Sequence, residues 1–297
     1  MNLIEKAVSE FFKEPALDVD AVNHDAAFPR ATHPPVLEEH FSLPFTAKQQ
    51  TSLDFNKLKQ LGMITPDEPS SRIALELRHI KSRLLSESVE TMDALHNDHY
   101  KNLIMITSSR TDEGKTFLSI NLAINLAMEV DRRIVLVDTD VAKGTVAKVL
   151  GMDAKLGLTD LLVTPNRTLL DALVGTNING LHVIPSGAGI PNVAELFSGQ
   201  RMISLLNTMA RQFADWVFVF DSPPLLAASE SSALARHMGQ VVVVVQEEKT
   251  TQKELLTGLK QIEFAQNIGL VLNKSLDRSE TVYYEQYAKF RAVREKI

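Results

Sequence analysis

Residues 102–140 carry the strongest pattern in this chain: NLIMITSSRTDEGKTFLSINLAINLAMEVDRRIVLVDTD. The segment opens with an apolar run, Leu103–Ile106, and continues through a polar loop that ends in Gly-Lys-Thr at 114–116. Apolar residues then recur at helical spacing, and a second apolar run, Ile134–Val137, ends on Asp138. Strand, loop, helix, strand and carboxylate in this order predict a nucleotide-binding unit, because N–H groups at the start of such a helix hold phosphate oxygens.

Outside this unit the chain continues to alternate between strands and helices. Segments with helical spacing separate four further apolar runs, which lie at 181–184, 216–220, 241–245 and 268–272. Such a pattern predicts an α/β fold whose central, mostly parallel sheet is covered by helices on both faces. Ligands of these sheets bind beyond the carboxyl ends of the strands, where the phosphate loop, Asp138 and Asp221 fall.

Composition excludes several classes of function. The chain has 297 residues, of which 31 are basic and 37 acidic, and basic residues never run longer than two. This balance argues against nucleic-acid binding, which usually concentrates Lys and Arg on one face. The absence of cysteine rules out disulfides, a thiolate nucleophile and a Cys-ligated metal site. The apolar runs are far shorter than the roughly 20 residues of a membrane-spanning helix, so we expect a soluble, cytoplasmic protein without a transmembrane segment.

Shifts in composition divide the chain into three predicted parts. Residues 1–69 are expected to form an amphipathic helix over 3–12, followed by a Pro-rich, partly disordered linker. Residues 70–274 form the P-loop domain. Residues 275–297 are polar and charged, and we expect a flexible tail there. It holds three of the four tyrosines of the chain, which are Tyr283, Tyr284 and Tyr287.

The loop before the first long helix is a P-loop, or Walker A motif. The Lys115 side chain is expected to reach the β- and γ-phosphates, and the Thr116 hydroxyl to bind Mg²⁺. Gly-Lys-Thr alone is a weak signal, but its position between a predicted strand and a predicted helix makes it specific. Nine residues are predicted to bind the nucleotide: Ser109, Arg110, Thr111, Asp112, Glu113, Gly114, Lys115, Thr116 and Phe117.

Three carboxylates at strand ends complete the predicted site. Asp138 and Asp140 lie two residues apart, so in an extended chain their side chains point the same way. Carboxylates there can hold Mg²⁺ and accept a proton from an attacking hydroxyl. Asp221 ends another apolar strand and is the expected second carboxylate near the metal. Any one of the three could instead cap a turn, but all three beside a P-loop favour a catalytic set.

At this point the sequence resembles a known family, the bacterial tyrosine kinases of capsule and exopolysaccharide synthesis. The resemblance covers roughly residues 70–290 and rests on Gly-Lys-Thr, VLVDTD at 135–140 and VFVFDSPP at 217–224. GLTDLL at 157–162, PSGAGIPNVAELF at 185–197 and the terminal tyrosines reinforce it. GMITPD at 62–67, AMEVDRR at 127–133 and the start MNLIEKA are similar to the exosortase-associated tyrosine autokinases.

The resemblance implies a P-loop NTPase fold related to MinD and ParA, and a protein-tyrosine autokinase that uses ATP and Mg²⁺. By this resemblance Lys115, Asp138, Asp140 and Asp221 are catalytic, and Thr116, Asp138 and Asp221 bind the metal. Tyr283, Tyr284 and Tyr287 are the phosphoacceptors, which enter the active site of a neighbouring copy in a ring. The implied partner is an inner-membrane chain-length regulator, which would hold the kinase at the inner face of the cell membrane while polymer is exported.

Three departures from the family pattern leave other functions open. Thr111-Asp112 replaces Pro-Gly in the phosphate loop, and Gly144, preceded by Lys143, replaces a proline after the second motif. In the Glu-x-x-Arg-x-x-Arg motif of the ring interface, Leu75, Arg78 and Lys81 stand at the three positions. The alternatives are a MinD- or ParA-like ATPase switch and a degenerate nucleotide-binding partner without kinase activity. Tyr283 and Tyr287, four residues apart, could also be the packed face of a helix.

Overall fold

The computed structural model describes residues 47–89, 101–128, 132–153, 155–265 and 267–275. The helix predicted over 3–12 and the tail tyrosines Tyr283, Tyr284 and Tyr287 lie outside these residues. The strands are β1 (Gln49–Thr51), β2 (Leu103–Ser108), β3 (Arg133–Asp138), β4 (Val174–Thr176), β5 (Leu181–Ile184), β6 (Trp216–Asp221), β7 (Gln240–Gln246) and β8 (Ile268–Asn273).

Ten helices connect these strands within the described residues. They are α1 (Phe55–Gln60), α2 (Arg72–Val89), α3 (Lys115–Ala127), α4 (Thr145–Leu150), α5 (Leu158–Val163), α6 (Leu169–Ala172), α7 (Val193–Ser198), α8 (Gln200–Gln212), α9 (Ser229–Ala235) and α10 (Gln252–Lys260). None of these helices combines the length and the apolar character that a membrane span requires.

The strands form one sheet in the order β1-β4-β5-β3-β6-β2-β7-β8. Every neighbouring pair is parallel except β4 and β5. All six residues of β2 and all six of β6 are buried. Because successive side chains of a strand point to opposite faces, both faces of the central sheet are covered. The predicted α/β fold with a mostly parallel sheet is therefore confirmed.

The helix after the phosphate loop lies deep in the structure. Eleven of the thirteen residues of α3 are buried, and α2 packs against this helix. Polar side chains in such a helix must find partners inside the protein. Asn121 shows how this is met, because its side-chain oxygen accepts a hydrogen bond from the backbone N–H of Ile64 at 2.7 Å. The 47–69 segment is thereby attached to α3.

The predicted domain boundary at 69/70 is wrong, because the compact unit that contains the sheet begins at Ala47. Within 47–69, β1 pairs with β4, and the α1 residue Leu58 is 1% exposed in the core. Little in the amino-acid pattern indicates this packing, since β1 and β4 have three residues each. Their few apolar neighbours show no sustained period, and they are buried only by contacts with distant parts of the chain.

Candidate active site

The phosphate loop leaves the end of β2 and turns into α3 at Gly114. Gly114 has a φ of 100°, a left-handed conformation that favours glycine. A Cβ at this position would lie 2.0 Å from the side-chain nitrogen of Asn273, at the end of β8. That nitrogen donates a hydrogen bond to the carbonyl of Glu113 at 2.8 Å. Backbone conformation and the close approach of Asn273 therefore both require glycine at the start of the helix.

Asp112 occupies the position where the resembling family has glycine, and it adopts the conformation that glycine would favour. Its φ is 63°. Asp and Asn enter this left-handed region more readily than other side-chain-bearing residues, at a cost of about 1 kcal/mol. The Asp112 carbonyl accepts a hydrogen bond from Lys274 Nζ at 2.7 Å, which stabilises the turn. The loop thus keeps its shape without the glycine.

Glu113 braces the loop from within. Its side chain is 2% exposed, and its carboxylate accepts hydrogen bonds from the backbone N–H of Arg110, at 2.8 Å, and from the Thr250 hydroxyl. The Arg110 guanidinium lies 3.3 Å from the Glu254 carboxylate on α10. The Glu113 side chain therefore faces the protein interior, and the backbone N–H groups of the loop are the groups of this segment suited to hold phosphate.

Two of the predicted aspartates lie side by side at the carboxyl ends of β3 and β6. Asp138 and Asp221 are register partners in the sheet, and both are buried. The Asp221 carboxylate accepts hydrogen bonds from the hydroxyls of Thr116, at 2.7 Å, and Ser119, at 3.0 Å. The Asp138 carboxylate accepts backbone N–H bonds from Asp140 and from the first turn of α4, each at 3.1 Å. The structure thus brings the start of α3 and two strand ends into one buried cluster.

Asp140 has a different environment from Asp138. Its carbonyl and one carboxylate oxygen both accept the backbone N–H of Lys143, at 3.1 and 3.3 Å, so it caps the turn before α4. Its carbonyl also accepts the N–H of Gly144, whose φ of 54° completes the turn. Asp140 is 7% exposed, whereas Asp138 is fully buried. Of the two, Asp140 is the carboxylate that a group entering from solvent can reach.

Burial perturbs the acid–base properties of this cluster. Burial, and after it the negative charge of Asp221, raise the pKa of Asp138 to about 8. Burial also raises the pKa of Asp221 to about 6, against the hydrogen bonds from Thr116 and Ser119. Lys115 is 6% exposed, and burial lowers its pKa, against the opposing effect of the Asp221 and Asp140 charges. The cluster therefore contains more acidic than basic groups and favours an added cation.

Several residues of this site escaped the sequence reasoning. Ser119 lies one helical turn after Lys115 on the same face of α3, and that spacing was the available signal. Asn273 is the last residue of β8 and Lys274 follows it, and β7 alone separates β8 from β2 in the sheet. Because parallel strands end at the same edge of a sheet, both residues could have been predicted to lie near the phosphate loop. Thr250 had no local signal. Among the predicted residues, Ser109 is buried, and the Phe117 ring lies near Gly62 in the 47–69 segment.

Comparison with known proteins agrees with this geometry. The AAA domain family matches residues 101–277. The putative tyrosine-protein kinase EpsB of Ralstonia solanacearum is 31% identical over 285 residues, which cover 91% of this chain and 36% of that protein. The solved kinase domain of Escherichia coli tyrosine kinase ETK has a TM-score of 0.62 and 28% identity, covering 73% of this chain and 82% of that one.

A more distant structure has a similar fold. MinD of Pyrococcus horikoshii, solved as a complex with Mg-ADP, has a TM-score of 0.50 and 23% identity, and covers 60% of this chain and 72% of that one. This similarity shows the fold alone, which is a P-loop NTPase fold like that of MinD. The chain belongs to the AAA domain family, and the proteins to which it is similar include the tyrosine kinases EpsB and ETK. It spans about a third of the length of EpsB, at 36%. The exosortase-associated subtype stays a prediction.

Proposed function

We propose that this chain is a protein-tyrosine autokinase that transfers the γ-phosphoryl group of ATP to tyrosines in the tail of a neighbouring copy. The observation that carries the proposal is the cluster of buried Lys115, Asp138 and Asp221 with the Thr116 hydroxyl, in a chain similar to tyrosine kinases. The proposed acceptors are Tyr283, Tyr284 and Tyr287, the tyrosines of the tail.

The oxygen donors of the cluster fit Mg²⁺. A hydroxyl from Thr116 and carboxylates from Asp138 and Asp221 are the hard ligands that this ion prefers. Among the described residues, no three carboxylates or histidines lie close enough to hold a metal unaided. This fits an ion that completes its shell with water and phosphate oxygens. When bound, Mg²⁺ would neutralise charge on the transferred phosphoryl group.

The remaining chemistry belongs to side chains and backbone of this chain. The Lys115 ammonium group and the N–H groups at the start of α3 would bind the β- and γ-phosphates and offset their negative charge. Asp140 would accept the proton of the attacking tyrosine hydroxyl, since it is more exposed than Asp138. Ser119 would act through Asp221 by fixing the orientation of its carboxylate, as the 3.0 Å hydrogen bond supports.

The proposed setting is the export of exopolysaccharide at the inner face of the cell membrane. The partner would be a membrane chain-length regulator that binds and activates the kinase, and nucleic acid has no role. A ring of copies would bring each tail to its neighbour. On α2, Arg78 is exposed, whereas Glu76 pairs with Arg72 at 2.7 Å. A ring interface on this helix would therefore use Arg78 rather than the family's full motif.

Mass spectrometry of the intact protein before and after incubation with MgATP tests the kinase proposal. We expect phosphorylation that maps to the tail. Tail peptides can be distinguished from the rest of the chain, because the other tyrosine, Tyr100, lies outside the tail. A variant with Tyr283, Tyr284 and Tyr287 all changed to Phe should lose the signal, and the control variant Tyr100→Phe should keep it. Absence of phosphotyrosine, even with the regulator's cytosolic segment added, contradicts the proposal. ATP-dependent dimerisation without transfer would favour the MinD-like switch, and tight binding alone the non-catalytic partner.

Substitution of Ser119 by alanine should raise the Mg²⁺ concentration that phosphorylation requires, with a smaller effect on the stability of the fold. The change removes one of two hydroxyl donors to Asp221, and a hydrogen bond to a charged group contributes about 1.5–3 kcal/mol. We expect the Mg²⁺ concentration for half-maximal phosphorylation to rise about tenfold at saturating ATP. Ser198→Ala is the matched control. The Ser198 hydroxyl, like that of Ser119, lies within hydrogen-bonding distance of the carbonyl four residues earlier in its helix, but it does not contact Asp221. Equal Mg²⁺ dependence in both variants would contradict the role.

A further inference from the structure

The tip of the phosphate loop lies between two lysines from different parts of the chain. Lys274, after β8, donates from Nζ to the Asp112 carbonyl at 2.7 Å. Lys143, in the loop after β3, places Nζ at 3.7 Å from the Asp112 carboxylate. The Asp112 side chain is 89% exposed, so the pair of Asp112 and Lys143 lies on the solvent side of the phosphate loop.

The backbone of Lys143 is fixed while its side chain is not. Its N–H bonds to Asp140 hold the main chain to the turn that carries the proposed base. The ammonium–carboxylate distance of 3.7 Å is too long for a hydrogen bond, and the Lys143 side chain is 46% exposed. Exposed ion pairs of this kind contribute about 0–1 kcal/mol. Lys143 can therefore exchange Asp112 for a stronger anion at little cost.

The charge balance of the site calls for such an exchange. The charges of Asp221 and Asp140 act on Lys115, and a nucleoside triphosphate would add more negative charge. Lys143 lies close enough to affect this region, because its charge contributes to lowering the pKa of Lys115, after the larger effects of burial and of the two aspartates Asp221 and Asp140. A phosphate carries more charge and more acceptor oxygens than a carboxylate, so it is the better partner for an ammonium group.

We propose that Lys143 is a second phosphate-binding lysine, which leaves Asp112 and binds the terminal phosphate when a nucleoside triphosphate enters. Asp112 then acts as an internal competitor, which pairs with Lys143 when no nucleoside triphosphate is bound. The inference rests on the nucleotide-binding part of the proposed function and needs no phosphoryl transfer. It also gives Asp112, a departure from the family pattern, a role that it shares with Lys143.

Calorimetric binding of a non-hydrolysable ATP analogue and of ADP, each with Mg²⁺, tests the assignment on the full chain. Lys143→Ala should bind the ATP analogue about tenfold more weakly, because it loses a charged contact to the terminal phosphate. Its ADP affinity should change less than about twofold, since ADP lacks that phosphate. Lys143→Arg should restore most of the affinity. Lys48→Ala is the matched control: it breaks an exposed Lys–Asp pair, with Asp171, at the β1 side of the sheet.

A double-mutant cycle tests the competition. Asp112→Asn keeps a side chain that accepts the left-handed backbone but removes the charge, so it should tighten binding of the ATP analogue about threefold. The gain should vanish in the Lys143→Ala background. Unchanged binding in Lys143→Ala, equal loss for both nucleotides, or a gain from Asp112→Asn that persists without Lys143 would each overturn the inference. A chain that binds the analogue in this pattern but forms no phosphotyrosine would refute only the kinase proposal.

Discussion

Replacement of Lys115 by methionine should reduce tail phosphorylation by about 10²–10³-fold, the effect typical of removing one charged group that stabilises a transition state. Lys115 is 6% exposed beside Asp221 and Asp140, so its ammonium group opposes buried negative charge even before nucleotide binds. Methionine has a similar length but no charge. The measurement is the initial rate of phosphotyrosine formation at saturating MgATP, with Lys260→Met, on the last turn of α10, as the control.

The same variant distinguishes transfer between copies from transfer within one copy. Lys115→Met chains with an intact tail should become phosphorylated when mixed with chains that have active sites but carry Phe at 283, 284 and 287. Phosphorylation only of chains that hold both an intact site and an intact tail would show transfer within one copy. A Lys115→Met rate above a tenth of the wild-type rate would contradict the assignment of Lys115.

Asp221→Asn should stabilise the protein without nucleotide while it abolishes phosphorylation. At neutral pH the wild-type carboxylate is ionised although it is buried, and the neutral amide avoids that cost. The hydroxyls of Thr116 and Ser119 can donate to or accept from the amide. Removal of the charge also lowers the pKa of Asp138, which Asp221 raises. We expect a gain of about 1–3 kcal/mol in the free energy of unfolding at pH 7.5.

The pH dependence of that gain follows from the sign of the pKa shift. The pKa of Asp221 is raised from 3.8 to about 6, so between these values the folded wild-type protein binds more protons than the unfolded chain. Wild-type stability therefore falls as pH rises through this window, and the cost is complete above it. The advantage of Asp221→Asn should shrink towards pH 4 and grow as pH rises through 6. It should grow further towards pH 8, because the substitution also lowers the pKa of Asp138 from about 8.

Thermal melts of the metal-free proteins at pH 7.5, 6 and 5 measure this difference. Asp215→Asn, an exposed position just before β6, is the matched control and should melt as the wild type does. A stability difference that does not change with pH would contradict the assigned cause. A variant that still phosphorylates the tail at a tenth of the wild-type rate or more would remove Asp221 from the proposed metal site.

The structure also changes the reading of the phosphate loop. In the sequence, Asp112 stands where the family pattern has glycine, and this departure left functions other than a kinase open. In the structure Asp112 takes the left-handed conformation, with a φ of 63°, and its charge faces Lys143. The departure is thus accommodated locally, and nothing in the loop geometry requires a loss of nucleotide binding.

The sequence alone was sufficient to predict six of the eight strands, the P-loop and the aspartates at the strand ends. These features are encoded locally: apolar runs specify buried parallel strands, and Gly-Lys-Thr between a strand and a helix specifies the phosphate loop. The convergence of Asp138 and Asp221 also follows, because parallel strands end at the same edge of the sheet.

Contacts between distant segments were decided by the tertiary structure. Thr116 and Asp221 are 105 residues apart, and Asn273 and Glu113 are 160 apart. Residues 47–69 join the domain through contacts with distant segments, such as the hydrogen bond between Ile64 and Asn121. No period or motif records such pairs, because each depends on which elements the fold places side by side. The pairing of Lys143 with Asp112 belongs to this group, since only the packed sheet brings the loops after β2 and β3 together.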